Sequence, residues 1–296
     1  MNYRKLGKSA LFLSEIGFGC MSLGPNDSEN ILLLHRAIEL GINFFDTADI
    51  YEKGLNEERI GKILKNSRKS IIISTKVGNQ YRGEGKGLDW NPSKKHILAA
   101  VEESLKRLQT DYIDLYQLHG GTIEDPIEET ISAFEILKQQ GKIRYYGISS
   151  IRPNVIRKYI ELSQLASVMM QYSLLDRRPE EVCMQELRAK DIGILARGAL
   201  AKGLLLNKNQ MEYLNYGEKE IEKAKTGIAS MANTQRSKAQ TALQFVLKHA
   251  EISSAVVGIR TMEQLEDVTK ITPPLSTMEI AFLNNILPPN HYDQHR

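Results

Sequence analysis

The sequence contains little cysteine. Cys20 and Cys183 are its two thiols, they lie far apart, and neither belongs to a Cys-x-x-Cys pair. The pattern therefore indicates neither a disulfide framework nor a zinc site, and both residues are interpreted as packing residues. The C-terminal stretch PPNHYDQHR carries His291 and His295 at helical spacing, but after two prolines it is interpreted as a mobile tail and not as a metal site.

Long apolar runs and an excess of one charge are also missing. Ser14 and Glu15 interrupt the apolar stretch near the N-terminus too early for a signal peptide or a membrane span. Lys and Arg number 39 against 36 Asp and Glu, and no basic run is interleaved with aromatic residues as in nucleic-acid-binding segments. The sequence predicts a soluble, cytoplasmic protein that binds neither nucleic acid nor membrane.

The sequence does contain a regular alternation of two kinds of segment. Short apolar runs rich in β-branched residues recur eight times, and amphipathic stretches with helical spacing lie between them. The runs are SEIGFG near 14, INFFD near 42, SIIISTK near 70, YIDLYQLH near 112, IRYYGIS near 143, SVMMQY near 167, IGILA near 192 and SAVVGI near 254. Continuously apolar strands alternating with helices indicate a parallel sheet covered by helices. We therefore expect an α/β fold, a (β/α)8 TIM barrel that forms a single domain over residues 1–296.

A doubly wound sheet is the competing fold. It would carry a G-x-G-x-x-G fingerprint after an early strand. The nearest match, GEGKGL at 83–88, has Leu88 in place of the third glycine and follows the third apolar run. That segment is interpreted as a loop, and the barrel is favoured.

Two segments fall outside the alternation. Residues 3–13, YRKLGKSALFL, predict an N-terminal β-hairpin that turns at Gly7 and Lys8 and closes the bottom of the barrel. Residues 207–232 are longer and more charged than an ordinary loop, so they predict an extra helix late in the chain.

Polar residues stand where the apolar runs end. Because active sites of such barrels lie at the C-terminal ends of the strands, these residues are predicted to meet at one mouth. They are Asp46, Tyr51 shortly after it, Lys76, His119, Ser149, Ser150, Gln171 and Tyr172. Each has an ordinary structural explanation when taken alone, such as a turn cap for Asp46 or a core position for His119. Their convergence favours a functional site.

Four of these residues have complementary chemistry. A free tyrosine has a pKa of about 10, and a nearby ammonium group lowers that value by stabilising the phenolate. Lys76 is expected to do this for Tyr51, with Asp46 holding the lysine in place. A carbonyl that receives hydride gains negative charge on its oxygen, so His119 is expected to donate a hydrogen bond to that oxygen while Tyr51 delivers a proton.

Several stretches resemble the aldo-keto reductase superfamily, in the order of the family and over nearly the whole chain. They are GFGCMSLG (17–24), NFFDTADIY (43–51), EERIGKIL (57–64), STKVG (74–78), LKRLQTDYIDLYQLH (105–119), GKIRYYGISS (141–150), MMQYSLLDR (169–177) and GIRTMEQLED (258–267). The sequence looks most like the branch that includes bacterial reductases and the β subunits of voltage-gated potassium channels. The resemblance implies a barrel that binds a nicotinamide cofactor, usually NADPH, without a Rossmann domain. It also implies a catalytic tetrad of Asp46, Tyr51, Lys76 and His119 that acts on a small-molecule carbonyl substrate.

The resemblance further implies a site for the nicotinamide end of the cofactor. Ser149 and Gln171 match the residues that hydrogen-bond the carboxamide, and Tyr172 matches the aromatic position under the ring or its neighbour. Ser150 stands where the family commonly has asparagine, which weakens this part of the match.

A second set of residues matches the phosphate and adenosine sites of the family. The loop that meets the pyrophosphate is matched by Arg197, Leu200 and Gly203. The adenosine phosphate site is matched by Gly258, Arg260, Gln264 and Asp267. A helix N-terminus and an arginine suit a 2′-phosphate, so NADP(H) is the expected cofactor. Asp267 and Val268 replace a frequent Glu-Asn pair, so cofactor affinity is expected to be reduced.

The substrate and the physiological role are less constrained by the sequence. Gly121 stands where many relatives have a large side chain, from which we expect a pocket that is open on that side. One alternative is a redox-sensing module that binds NADPH with little turnover, as the channel subunits do. Another is a barrel hydrolase or lyase that uses Asp46 or Asp49 as a base, but this leaves Lys76 and the GIRTMEQ anion site unexplained. The natural substrate, the direction of the reaction and the oligomeric state stay open.

Overall fold

The computed structural model describes residues 1–82 and 87–296, within which the chain forms fourteen strands and ten α-helices. The segment GEGKGL, interpreted from the sequence as a loop, falls partly on residues 83–86, outside the described residues. The strands are β1 (Tyr3–Lys5), β2 (Phe12–Ser14), β3 (Ile16–Gly19), β4 (Phe44–Asp46), β5 (Ile72–Val77), β6 (Asn79–Tyr81), β7 (Leu88–Trp90), β8 (Ile113–Leu118), β9 (Ile143–Ser149), β10 (Ser167–Gln171), β11 (Gly193–Arg197), β12 (Glu212–Tyr213), β13 (Tyr216–Gly217) and β14 (Ile252–Val257). The helices are α1 (Asp27–Glu39), α2 (Leu55–Leu64), α3 (Lys94–Leu108), α4 (Ile127–Gln139), α5 (Pro153–Leu162), α6 (Cys183–Ala189), α7 (Glu218–Met231), α8 (Lys238–Leu247), α9 (Met262–Thr269) and α10 (Thr277–Ile286).

Eight of the strands close into a barrel. The order around it is β3, β4, β5, β8, β9, β10, β11 and β14, and β14 pairs with β3 to complete the circle. Every neighbouring pair is parallel. These strands are the eight apolar runs of the sequence, so the (β/α)8 prediction is confirmed. β5 and β8 are buried along their whole length because one face lines the barrel interior and the other lies under helices.

Serine caps set the starts of several outer helices. The side chain of Ser93 accepts the N–H of His96 at the start of α3, and Ser237 forms a capping box with Gln240 at the start of α8. The amphipathic helix α3 then buries Ile97, Val101 and other apolar residues against the barrel.

The N-terminal hairpin closes the bottom of the barrel, as the sequence predicts. β1 and β2 pair antiparallel. Leu6, Leu11 and Leu13 of this hairpin pack with Phe44 and Leu115 of the barrel strands in one buried cluster. The open end of the barrel is therefore the opposite one, where the strands end.

Two late segments complete the fold. The extra helix predicted within 207–232 is α7, and a short β12–β13 hairpin that the sequence did not predict precedes it. The C-terminal tail is not free, which contradicts its interpretation as a mobile segment. Tyr292 is 5% exposed, its N–H donates to Glu181 at 2.9 Å, and the Arg178 guanidinium lies 5.4 Å from the centre of its ring. Aromatic burial and these polar contacts hold the tail against α6.

Residues 1–82 and 87–296 contain neither a candidate membrane span nor a candidate metal-binding group. None of the helices in these residues combines the length and the apolar character that crossing a bilayer requires. No group of three or more His, Cys, Asp and Glu side chains in the same residues is placed to hold a metal ion.

Candidate active site at the barrel mouth

The ends of neighbouring strands bring three of the four predicted catalytic residues together. Asp46 is the last residue of β4, Lys76 lies next to the end of β5, and His119 directly follows β8. The N–H of His119 donates to the carbonyl of Val77 at 2.7 Å, which ties the ends of β5 and β8. Tyr51 reaches the same place from the turn after β4.

Lys76 is the centre of this group. Its Nζ donates to Oδ2 of Asp46 at 2.7 Å, to the carbonyl of Thr47 at 2.6 Å and to the hydroxyl of Tyr51 at 3.4 Å. The residue is 1% exposed. Burial alone would lower its pKa, but Asp46 and Tyr51 reverse that effect and raise the pKa above its ordinary value. Lys76 is therefore a fixed cation beside the phenol.

Tyr51 begins an unusual turn. Glu52, Lys53 and Gly54, which follow it, all have positive φ. The Tyr51 ring meets the His119 ring edge-on, with 5.9 Å between centroids. Burial raises the pKa of Tyr51 above its ordinary value, and Lys76 opposes that rise without cancelling it. The prediction that the pKa of Tyr51 is lowered is thus wrong for this structure. The free-energy cost of burying the phenolate exceeds its electrostatic stabilisation by Lys76. Tyr51 keeps its proton and can donate it.

His119 is neutral in this environment. Burial first, and then the positive charges of Lys76 and Arg197, lower its pKa to about 3. Its Nδ1 is shut off from solvent and has no hydrogen-bond partner among the described residues. A neutral imidazole beside the Tyr51 hydroxyl can still donate one hydrogen bond to an oxygen in the mouth.

Two supporting residues were missed by the sequence reasoning. Nε2 of Gln117 donates to Oγ of Ser74 at 2.7 Å and to Oδ1 of Asp46 at 3.4 Å. Both side chains are buried inside the barrel. The available signal was a glutamine in the middle of the otherwise apolar run DLYQLH, since a buried polar side chain requires partners.

Gln171 lies at the mouth at the end of β10, three strands from Lys76 around the barrel. Its Nε2 donates to Oδ2 of Asp176 at 2.9 Å and to the hydroxyl of Tyr213 at 3.0 Å, and its Oε1 accepts from Nη1 of Arg197 at 3.0 Å. These partners orient the amide. Tyr213 belongs to the late hairpin and was not predicted as a site residue.

Ser149 and Ser150 lie beside this amide at the end of β9. Ser149 is the last residue of the strand and is half-buried. The N–H of Ser150 donates to the carbonyl of Met169 at 3.0 Å, and its Oγ accepts the N–H of Arg152 at 3.2 Å. The hydroxyl of Ser150 is thus engaged by the following turn.

Tyr172 lies elsewhere than expected, whereas Arg197 lies at the mouth. The Tyr172 ring is 0% exposed, packs on Phe245 and donates its hydroxyl to Glu180, so it faces the helices and not the mouth. The reason is the alternation of side chains along extended backbone, which sends Gln171 and Tyr172 to opposite faces. Arg197 is the last residue of β11 and pairs in register with Gln171, so it lies at the mouth, directly before the loop that is predicted to meet the pyrophosphate.

The loop after β11 contains two glycines with positive φ. Gly198 has φ 73°, and a Cβ there would lie 3.2 Å from Cγ of Gln171. Gly203 has φ 93° and passes close to Lys208, while Leu200 between them is half-buried. Gly198 was not predicted, although a glycine directly after a strand end was the available signal.

The predicted adenosine phosphate residues lie around the start of α9. Gly258 and Arg260 are exposed, and the N–H of Arg260 donates to Oε1 of Gln264 at 2.9 Å. The free amides of a helix start and an exposed guanidinium suit a phosphate, so these residues fit the expected cofactor. Asp267 is placed differently, because its Oδ2 accepts from Oγ of Ser237 at 2.9 Å and so faces α8.

Gly121 does not open the mouth as expected. It is buried, and a Cβ there would lie 3.5 Å from both Asp125 and Leu118. Its φ of 124° is a conformation that side-chain-bearing residues rarely adopt. The backbone conformation, and not the width of a pocket, accounts for this glycine.

Known proteins resemble this chain over its full length. The family model described as Aldo/keto reductase family matches residues 15–288. The uncharacterized oxidoreductase YqkF of Bacillus subtilis is 47% identical over 307 aligned residues, covering 100% of both chains. The holo form of aldo-keto reductase AKR11C1 from Bacillus halodurans is 46% identical, covers 100% of this chain and 99% of its own, and superposes with a TM-score of 0.94. A Schizosaccharomyces pombe aldo-keto reductase, yakc, whose name includes NADP(+), is 38% identical over 212 residues, or 68% of this chain and 62% of its own.

Proposed function

The chain belongs to the aldo-keto reductase family of oxidoreductases, and we propose that it reduces an aldehyde or ketone with NADPH, using Tyr51 as the proton donor. The observation that carries this proposal is the position of Lys76, whose Nζ contacts both Asp46 and the Tyr51 hydroxyl inside a buried site. In that arrangement a protonated phenol lies beside a cation at the barrel mouth. The reverse reaction, alcohol oxidation, would use the same groups.

Each residue of the tetrad has a role that follows from its environment. The bound nicotinamide cofactor supplies the hydride. As negative charge grows on the substrate oxygen, neutral His119 donates a hydrogen bond to it and Tyr51 transfers its proton. Lys76 then stabilises the phenolate that remains, because its charge lies within hydrogen-bond distance of the phenol oxygen. Asp46 keeps Lys76 in this position.

Support for NADP(H) over NAD(H) comes from the start of α9. Arg260 is exposed there, directly before the N-cap residue Thr261 of this helix. A guanidinium can bind a phosphate through two parallel hydrogen bonds. The NADP(+) in the name of the S. pombe relative points the same way.

The hydrolase or lyase alternative is not supported. Asp46 is buried, and its two oxygens accept hydrogen bonds from Nζ of Lys76 and Nε2 of Gln117, so both oxygens are engaged within the protein. A redox-sensing module would use the same cofactor-binding residues as a reductase. Turnover therefore decides between a reductase and a sensor.

The test is the loss of NADPH absorbance with a panel of aldehydes and ketones that includes 4-nitrobenzaldehyde. We expect turnover in the wild-type protein and a loss of about 100-fold or more in Tyr51→Phe, the scale of a missing general acid. NADPH binding, followed by fluorescence, should be retained in the variant. Equal turnover in Tyr51→Phe would refute its role as proton donor. Tight NADPH binding without turnover of any carbonyl would instead favour the redox-sensing module.

A further inference from the structure

A half-buried aspartate close to the proton donor has no part in the proposed reaction, although one of its carboxyl oxygens is shut off from solvent. Asp49 lies two residues before Tyr51, and its Oδ1 is shut off from solvent without a hydrogen-bond partner among the described residues. Buried acceptors of this kind are rare and call for a physical explanation.

The surroundings of Asp49 leave it without a counter-ion of its own. The groups that face it are Glu57 of α2, Arg107 of α3, Lys76 of β5 and Tyr116 of β8. Nε of Arg107 donates to Oε2 of Glu57 at 2.7 Å, and Nζ of Lys76 is occupied by Asp46. Arg107 and Lys76 are therefore each paired with a carboxylate other than that of Asp49.

This environment favours the protonated form of Asp49. Burial, and then the negative charge of Glu57, raise its pKa to about 8, although Arg107 and Lys76 oppose the rise. Glu57 itself is 0% exposed, pairs with Nε of Arg107 and accepts a hydrogen bond of 2.6 Å from Oγ1 of Thr75. If Asp49 ionised, its charge would lie near Arg107, whose Nε already pairs with Glu57.

The backbone of Asp49 is part of the turn that carries Tyr51. Its N–H donates to the carbonyl of Lys76 at 3.3 Å, and the N–H of Tyr51 donates to the carbonyl of Ala48 at 3.1 Å. The next residues, Glu52 and Lys53, have φ of 50° and 57°, which residues with side chains adopt only when their surroundings impose it. The Tyr51 hydroxyl lies 3.4 Å from Nζ of Lys76, at the outer limit of a hydrogen bond, so a small displacement of the turn breaks this contact.

We propose that Asp49 is a positioning residue that works as a neutral carboxylic acid, and that its ionisation in mild alkali displaces the 49–54 turn and weakens the Tyr51–Lys76 contact. The part of this inference that concerns catalysis rests on the proposed reductase function. Asp49 would thus limit activity at a pH below that at which Tyr51 itself ionises.

The pH profile of kcat tests the proposal with the isosteric variant Asp49→Asn. Each protein is normalised to its own activity near neutrality. The wild-type kcat should fall through a step centred near pH 8, the value at which Asp49 ionises, whereas Asp49→Asn should show no step there. KM for NADPH should change little, because Asp49 and Tyr51 are not among the residues predicted to hold the phosphates of the cofactor. Asp111→Asn, which removes an exposed carboxylate before β8, should keep the wild-type step.

Thermal unfolding provides a second readout that needs no turnover. Because the pKa of Asp49 is raised on folding, its stabilising effect is complete below its ordinary pKa of about 4 and is lost as pH rises to about 8. The midpoint of Asp49→Asn relative to wild type should therefore increase over this range and then stay constant. A constant difference from acid to alkali, or a kcat step that persists in Asp49→Asn, would overturn the proposal. Absence of carbonyl turnover in every protein would instead defeat the reductase function, and the unfolding data would still decide the ionisation state of Asp49.

Discussion

Nζ of Lys76 lies 2.7 Å from Oδ2 of Asp46, and the two side chains are 1% and 6% exposed. Removing two charges from water is costly, so a buried ion pair adds little net stability and is sensitive to the loss of either partner. What this pair provides is placement: it holds a positive charge within reach of the Tyr51 hydroxyl.

The first prediction concerns this pair. Lys76→Met leaves Asp46 buried without its cation and should lower the free energy of unfolding by about 3–5 kcal/mol. The double variant Asp46→Asn with Lys76→Met should cost less than the sum of the single variants, because no unpaired charge remains. Urea denaturation of the four proteins measures the coupling. Additive effects would mean that the two charges do not depend on each other.

The second prediction concerns Tyr213, whose hydroxyl accepts from Nε2 of Gln171 at 3.0 Å. Tyr213→Phe removes one of the groups that orient the amide. It should weaken cofactor binding by about 0.5–1.5 kcal/mol, up to about tenfold in Kd, without a comparable loss in stability. Fluorescence titration with NADPH measures the change.

Tyr216→Phe is the matched control for that variant. It makes the same change in the same late hairpin, but the Tyr216 hydroxyl donates to the carbonyl of Pro288 and not to Gln171. We expect its Kd for NADPH to stay at the wild-type value. Equal losses in the two variants would show that the hairpin acts as a whole and that the contact to Gln171 is not special.

The third prediction concerns cofactor choice. Arg260→Ala should weaken NADPH binding by about 1.5–3 kcal/mol, the value of hydrogen bonds to a charged group, and should leave NADH binding unchanged. Separate titrations with the two cofactors give the result. Arg188→Ala, which removes an exposed arginine at the end of α6, controls for the change in net charge. A parallel loss for NADPH and NADH would mean that Arg260 does not contact the 2′-phosphate.

The barrel and the meeting of the tetrad could be predicted from local patterns. A parallel strand that is buried on both faces must be apolar along its length, and its polar residues collect at the end. This reasoning placed Asp46, Lys76 and His119 on three neighbouring strands, where the structure has them. The contact of Tyr213 with Gln171 could not be predicted from the sequence. It depends on how the β12–β13 hairpin, which comes later in the chain, folds back to Gln171.

The errors have equally local causes. A step of one residue in an extended chain reverses the direction of a side chain, which is why Gln171 faces the mouth and Tyr172 does not. The absence of a side chain at Gly121 was interpreted as an opening in the substrate pocket, whereas the positive φ of this residue is sufficient to explain the glycine. The direction of the pKa shift of Tyr51 depends on the balance between burial and one lysine, and burial cannot be read from the spacing of residues.

The last prediction concerns His119, whose pKa is lowered to about 3 in the folded protein by burial and by the charges of Lys76 and Arg197. In the unfolded chain its pKa returns to about 6.5, so between these values the unfolded state binds one more proton than the folded state. The contribution of His119 to the free energy of unfolding is therefore fully present above about pH 6.5 and is lost progressively as the pH falls. Activity should show no step from His119 in the same range, because the folded enzyme keeps it neutral.

His119→Asn tests this sign, since asparagine does not titrate. On acidification from about pH 7 to about pH 4, the unfolding temperature of the wild type should fall further than that of the variant. His35→Asn, a change at an exposed histidine, should follow the wild type. If the wild type and His119→Asn instead lost stability in parallel, His119 would be protonated in the folded protein. It would then act as a cationic acid, and the proton supplied to the substrate would not have to come from Tyr51.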